Sequence, residues 1–468
     1  MNAQLPLPTL AAASRLIAAG DLSPVDLTEA ALARATALND RLAAFIEITA
    51  DRARTAARRA EADIRGGRRR GPLHGIPYGL KDIYDAKGLR TTAHSRLLLD
   101  NVAAEDAETT ARLETAGMVL IGKLATHEFA TGGPAFDLPF PPARNPWNAA
   151  HFTGGSSSGS GAAVAAGILP LAMGSDTGGS IRLPAAYCGT VGLKPTWGRI
   201  SRRGVVPLCY SLDTCGPLTW TVEDAALALQ VLAGHDPRDP GSADLPVPDY
   251  RAALRQSVAG MRIGYASRFS EDAGVGAEQR AALDAAAQLL ETLGAEIIEV
   301  TLPPNDQFQA AARTISHSES FAIHQHDLRS RPEMYARVTR ERLMLGGLVT
   351  AAQYIQAQRL RRILTAKVDT LFDACDALLT AVIPGPAPLL EETDDGPWRK
   401  AQPISSVFNV TGQPALALPC GFAANGLPLS AQFVGRAFDE ATVLRVAHVY
   451  EQAAGWTQHR PALATLPG

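Results

Sequence analysis

The stretch FTGGSSSGSGAAVAAGILPLAMGSDTGGSIR (152–182) decides how this chain is read. Two Gly/Ser clusters, 152–161 and 174–182, flank a run of small apolar residues. In a disordered chain, Gly and Ser at this density would suit a tether. Interleaved with Ala, Val and Leu, they specify backbone that is buried and packed closely together. Glycine permits φ > 0, so successive N–H groups of GSDTGGSIR (174–182) can converge on one point. Such a nest binds an anion or a developing oxyanion. The donors predicted here are the amides of Thr177, Gly178, Gly179 and Ser180. Ser180 closes the run, beside the hole that an acyl-transfer nucleophile needs.

A serine hydroxyl is a poor nucleophile until a base takes its proton. No histidine lies within either cluster, the nearest being His151, which leaves room for a lysine base. Of the 44 basic residues only six are lysines, and arginine does not deprotonate in proteins. A lysine base must be neutral, which takes a depression of roughly 2–3 units from about 10.4, obtainable only by burial. In LHGIPYGLKDIYD (73–85), Lys81 follows an apolar run bounded by Gly and Pro, where its stem would be buried. Two readings compete with it: an ion pair between Lys81 and Asp82, and Lys194 of GLKPTWGR as the base. The pentapeptide 155–159 also fits G-x-S-x-G, which would make Ser157 the nucleophile. That elbow needs a strand directly before it, and RNPWNAAHFTGG (144–155) is a polar loop with a proline. No G-K-[ST] follows, so the run is not a phosphate loop.

Outward from this segment the chain reads as α/β. Residues 8–66 read as helical, with Ser23-Pro24-Val25-Asp26 as a helix start. The basic RGGRRRG (65–71) reads as a solvated turn. From 72 to 220, short strands and helices joined by tight turns fit best. MRIGYA (261–266), AEIIEV (295–300), DALLTAVIP (376–384), PALALPCGF (414–422) and LSAQFVGR (429–436) read as strands. Residues 276–293, most of 307–375 and 439–454 read as helices. No repeat or linker interrupts the 468 residues, which predicts one compact domain. A net charge of −3 and a hydrophobic fraction of 46% fit a soluble protein with a large core. They give no reason to expect a nucleic-acid or membrane-surface partner. No apolar stretch approaches the roughly 18 residues of a membrane span. Five widely spaced cysteines and the absence of a signal-like N-terminus predict a cytoplasmic protein with reduced core thiols.

Together, GIPYGLKD, GGSSSGSGAAVAAG, GSDTGGSIRLPAAYCG and GLKPTWGR resemble the amidase-signature family. The likeness runs from about residue 10 to the C-terminus, through VVPLCYSLDTCGPLTWTVEDAALAL (205–229) and FVGRAFDEATVLRVAHVYEQ (433–452). It implies a single domain, 1–468, with a large mixed β-sheet covered by α-helices, and a Ser–cis-Ser–Lys triad. Within that domain 1–70 would be the N-terminal helical region, 72–220 the signature core and 307–375 a helical insertion over the active site. By motif, Lys81 is the base, Ser156 the relay beside a non-proline cis peptide on one side or the other, and Ser180 the nucleophile. Asp176, Arg182 and Ser157 are expected to hold the loops in place. Phe129, Thr131, Gly132, Tyr187 and Cys209 are expected to line the substrate pocket. Trp197 stands where Tyr or Phe is common and Trp220 where Arg is often seen.

The activity so implied is cleavage of a C–N bond in a linear amide, carbamate or urea, with no metal or organic cofactor. The expected partners are a small-molecule amide or carbamate substrate, without nucleic acid or membrane, and with a homodimer as a possible assembly. The alternative is the A subunit of a tRNA-dependent amidotransferase, which shares these motifs and acts as a glutaminase for a partner. His317, Glu319, His324 and His326 suggest metal ligands, but on a helix 326 turns away from 317 and 324. They read better as a polar face or a channel lining.

Overall fold

Every residue of PYGLK (77–81), VLIGKL (119–124) and LAMGSD (171–176) is buried, the pattern of strands covered on both faces. A computed structural model, which describes residues 5–391 and 404–462, places these runs side by side in one sheet. In chain order its strands are β1 (Phe45–Ile48), β2 (Pro77–Lys81), β3 (Val119–Leu124), β4 (Leu171–Asp176), β5 (Val191–Lys194) and β6 (Thr214–Thr219). They continue with β7 (Arg262–Tyr265), β8 (Glu296–Glu299), β9 (Ala377–Ala381), β10 (Ala415–Phe422) and β11 (Pro428–Val434). Among the described residues the spatial order is β1-β3-β2-β4-β6-β5-β10-β11-β9-β7-β8. The β3–β2–β4 and β9–β7–β8 groups pair in parallel. The strands from β4 through β9 across the middle pair antiparallel. This is the α/β domain with a large mixed sheet that the sequence leads one to expect.

The helices follow their local signals. Ser23 caps Pro24–Leu42 by accepting from the Val25 and Asp26 amides at 3.0 and 3.2 Å. The predicted helical span 8–66 holds three helices, Leu10–Ala19, Pro24–Leu42 and Ala50–Arg65, and also strand β1. Four residues are too few to show a period of their own, and β1 exists because it pairs with the edge of β3. In the basic turn after it, Arg68 and Arg70 fold back onto Asp63 at 2.9 and 3.0 Å. The 307–375 region contains helices Asn305–Ser330, Arg337–Met344 and Ala351–Asp369. It is tied to the core where Gln309 Nε2 donates to Ser406 Oγ at 2.7 Å. No described helix is long and apolar enough to cross a membrane, and all five cysteines are buried and free.

Adjacent parallel strands β2 and β4 end at Lys81 and Asp176, so their C-terminal ends open onto one place, where parallel sheets commonly build sites. Neighbouring residues at a strand end point to opposite sides. Asp82 accordingly faces away from Lys81, and Lys123 Nζ of β3 lies 2.8 Å from its Oδ1 with both side chains buried. Lys123→Met would leave that carboxylate buried without its cation, so unfolding free energy should fall by about 3–5 kcal/mol, read from the denaturant midpoint at neutral pH.

Candidate active site

Lys81 is fully buried at the end of β2. Its Nζ donates to Ser156 Oγ at 2.7 Å and to Ser175 Oγ at 2.8 Å. Burial drives its pKa down to about 7, against the opposing pull of Asp213, Asp176 and Cys215. Lys194 is also pushed down to about 7 by burial, but its Nζ donates to the carbonyl of Pro195 at 2.9 Å. Lys81 and Lys194 therefore differ in what they touch, and of the two Lys81 is the one hydrogen-bonded to serines.

Ser156 follows a cis Gly155–Ser156 peptide bond, which settles the side of Ser156 on which that bond lies. The imidazole of His127 fills the space beside Gly155, where an added Cβ would sit 2.0 Å from the ring. The His127 amide donates to the Ser156 carbonyl at 3.1 Å. Burial first, and then the charge of Lys81, hold the His127 pKa down at about 3, so this ring is neutral at pH 7. Ser157 joins the two clusters. Its amide donates to the Ser180 carbonyl at 3.2 Å, and its hydroxyl accepts from the Ser175 amide at 3.2 Å and donates to the Ser175 carbonyl at 3.3 Å. The helix Ser158–Ala165 then carries the chain away.

Ser180 stands partly exposed at the end of the turn that follows β4. That turn is built on Asp176, whose carboxylate accepts from the amides of Gly179, Ile181 and Arg182 at 2.7, 3.1 and 3.3 Å. Arg182 grips the same carboxylate through Nε and Nη2, both at 3.0 Å, with both side chains fully buried. Burial would raise the Asp176 pKa, but Arg182 outweighs it and holds the group well below the usual carboxylate range. Arg182 reaches on to Gln432 at 2.6 Å and Asn409 at 2.7 Å, and Asn409 donates to the Asp176 carbonyl at 2.9 Å. Asp176, Arg182 and Ser157 thus brace the loops. One expected oxyanion donor is diverted: the Gly179 amide donates to Asp176, which leaves Thr177, Gly178 and Ser180 as the candidates.

A cavity of about 790 Å³ reaches Ser175 and Thr177 and is walled by 205–208, 210–211, 213–215, 238–241 and Arg361. None of Phe129, Thr131, Gly132, Tyr187 and Cys209 lines it. Ala130, beside Phe129 and Thr131, does, as do Leu208 and Tyr210 on either side of Cys209. Phe129 and Ala130 both have positive φ, and that turn carries the Phe129 ring to within 4.4 Å of His324. Gly132 packs against Thr339, and Tyr187 lies buried 6.0 Å from the Phe152 ring. Cys209 Sγ turns to Glu319 Oε2 at 3.1 Å. Trp197 lines the cavity. Trp220 instead packs under Arg460, 3.7 Å from the ring centre. Glu319 accepts from Ser211 and from Tyr354, and His324 pairs with the Tyr335 hydroxyl at 3.1 Å. Among the described residues no three His, Cys, Asp or Glu side chains stand together as a metal site. Sequence reasoning missed Ser175 and His127. The spacing of 175 in β4, parallel to β2, is the one signal that could have found the first.

A buried amine on two serine hydroxyls, beside a glycine turn built on a paired carboxylate, is the equipment of a serine-dependent amide hydrolase. The chain belongs to the amidase-signature family: the family model described as Amidase matches residues 26–444. It is 41% identical to the A subunit of the glutamyl-tRNA(Gln) amidotransferase of Chloroflexus aggregans, over 97% of this chain and 98% of that one. A solved chain from a vestigial protein complex, described as revealing the origins of an s-triazine catabolic enzyme, superposes with a TM-score of 0.89. It is 36% identical, over 95% of this chain and 98% of that one. The peptide amidase of Stenotrophomonas maltophilia gives a TM-score of 0.85 at 33% identity, over 97% and 98%.

These relatives correct one expectation. A self-sufficient enzyme for a small-molecule amide or carbamate, unconnected with nucleic acid and at most a homodimer, does not fit an end-to-end likeness to a protein named as one subunit of a tRNA-linked amidotransferase. Charge balance could not show this, because a subunit need not carry the charge that meets the nucleic acid.

Gly179 has φ +119°, and a Cβ there would fall 2.1 Å from Ser405 Oγ. Gly179→Ala should therefore displace the turn and lower turnover by about 100-fold or more, measured as kcat with substrate in excess, while far-UV circular dichroism stays native.

Proposed function

We propose that this chain hydrolyses the primary amide of a glutamine-like substrate through an acyl-enzyme on Ser180. It would do so as the amide-hydrolysing component of an assembly of the tRNA-dependent amidotransferase type. The observation that carries the chemistry is the hydrogen bond from a buried Lys81, its pKa about 7, to Ser156. In the proposed reaction, neutral Lys81 takes the proton of Ser156 as Ser156 takes that of Ser180. Ser180 attacks the amide carbonyl, and the amides of Thr177, Gly178 and Ser180 receive the oxyanion. The relay then returns the proton to the departing nitrogen, and ammonia leaves. Water enters by the same path and releases the acid. Arg361 in the cavity wall supplies a cation for a substrate carboxylate of the kind glutamine carries.

The role within such an assembly is supported by the 41% identity along nearly the whole of both chains. The likeness to the peptide amidase of Stenotrophomonas maltophilia favours a second reading, in which the chain cleaves a linear amide, carbamate or urea without a partner.

Ammonia release from glutamine, simple primary amides, anilides, carbamates and ureas, by the chain alone and with proteins that co-purify from its source, decides between them. Glutamine turnover that rises with a co-purified partner is expected. Turnover of carbamates or ureas alone, with no partner retained, would sink the assembly role. Ser180→Ala should abolish turnover, and Lys81→Ala should cost about 10²–10⁴-fold. Full activity in either variant removes the mechanism.

The base works uncharged, so kcat/KM should fall as pH drops through about 7, the Lys81 value. A profile flat from pH 8 to pH 5.5, both about a unit or more from that value, would contradict the assignment.

A further inference from the structure

The segment SLDTCGP (211–217) carries an acid that the proposed chemistry does not use. Strands β4 and β6 run antiparallel with Asp176 opposite Thr214. Continued by one step, that register sets Thr177 opposite Asp213. The Thr177 hydroxyl donates to Asp213 Oδ1 at 2.6 Å, a short charge-assisted bond. The other carboxylate oxygen accepts from the amides of Leu208 and Cys209, both at 2.9 Å. One half-buried side chain thus joins the first residue after β4 to the wall of the cavity. The far side of that wall is held in turn, where Glu319 Oε2 accepts from the Ser211 amide at 2.9 Å and Glu319 Oε1 from the Tyr354 hydroxyl at 2.8 Å.

We infer that Asp213 is a positioning residue of the hydrolysis, clamping Thr177, and through it the turn that presents Ser180, against the cavity wall 207–213. This rests on Ser180 being the nucleophile. Thr177 and Ser180 bracket the candidate oxyanion donors, so a shift at Thr177 moves the hole relative to the attacking oxygen. Asp213 need not touch substrate to act in this way. It also faces Lys81 from across the site, where it opposes the lowering of the lysine pKa by burial. The other groups that bear on Lys81 are Asp176, Cys215 and the neutral His127, with the hydroxyls of Ser156 and Ser175 bonded to it. Those that bear on Asp213 include Arg202, Thr177 and the amides of Leu208 and Cys209.

The test uses the full chain with its best substrate, each rate divided by the sites that a fluorophosphonate titrates. Asp213→Asn keeps the shape and removes the charge. It should lower kcat about 10- to 100-fold with little change in KM, and move the acidic limb of the pH profile to lower pH. Thr177→Val should lower kcat without moving that limb, and Thr177→Ser, which keeps the hydroxyl, should exceed Thr177→Val by about five-fold or more. Should Asp213→Asn fail to fold, the Thr177 pair decides alone. An Asp213→Asn enzyme with kcat per titrated site within about two-fold of the parent and an unmoved limb overturns the inference. So do Thr177→Val and Thr177→Ser enzymes of equal rate. Ser180→Ala, run beside them, separates the two failures. If it remains active, the nucleophile assignment falls; if it is dead while Asp213→Asn is normal, only the role of Asp213 falls.

Discussion

A lysine amine sealed from solvent, its hydrogen bonds spent on two hydroxyls, is the constraint around which this molecule is arranged. Burying an ammonium is expensive, and the group yields by giving up its proton more readily. A carboxylate at bonding distance would undo that by holding the charge. The chain places an acid directly after the lysine, yet the alternation of a strand sends the two side chains apart, and Lys123 occupies the acid. One period-two rule thus separates the Lys81 amine from its nearest neutraliser.

Around that amine the backbone is drawn unusually close. The ring of His127 lies where a side chain at 155 would have been, and Ser405 where one at 179 would have been. Small residues let the two clusters meet at Ser157, which bonds to both Ser175 and Ser180. Rigidity then comes from charge: Asp176, Arg182, Asn409 and Gln432 form a buried, mutually satisfied polar network. A site built of serines and glycines has no stiff side chains of its own, and the network supplies the stiffness.

Much of this was legible in the residues themselves. Lys81 stood out because lysines are scarce and its run is apolar. Asp176 and Arg182 stood out because they flank a glycine turn. The strands β7 to β11 announced themselves as short apolar runs between turns. Other features had no local signature. Strand β1 is four residues long and β6 contains both Gly and Pro, so neither reads as a strand. Ser175 looks like one more turn serine until β4 is laid beside β2. The cavity is lined by Ala130 next to Phe129, in a turn where both residues have positive φ, and by Leu208 and Tyr210 on either side of Cys209. The Gly179 amide was counted as a free donor, since nothing in the composition shows that Asp176 takes it. The likeness to an amidotransferase subunit had no local signature either: a contact surface is made of ordinary surface residues and leaves no periodic mark.

The network that stiffens the turn spans great distances along the chain. Arg182 is bonded to residues 227 and 250 positions further on. During synthesis, the three side chains of the proposed triad therefore emerge long before the last supports of their turn have been made. Contacts of such sequence separation are late and slow to close. A truncated or nascent polypeptide carrying all three groups would still hold Ser180 on a turn without its bonds to Asn409 and Gln432. The turn after β4 therefore takes its final supports only when the C-terminal strands have joined the sheet.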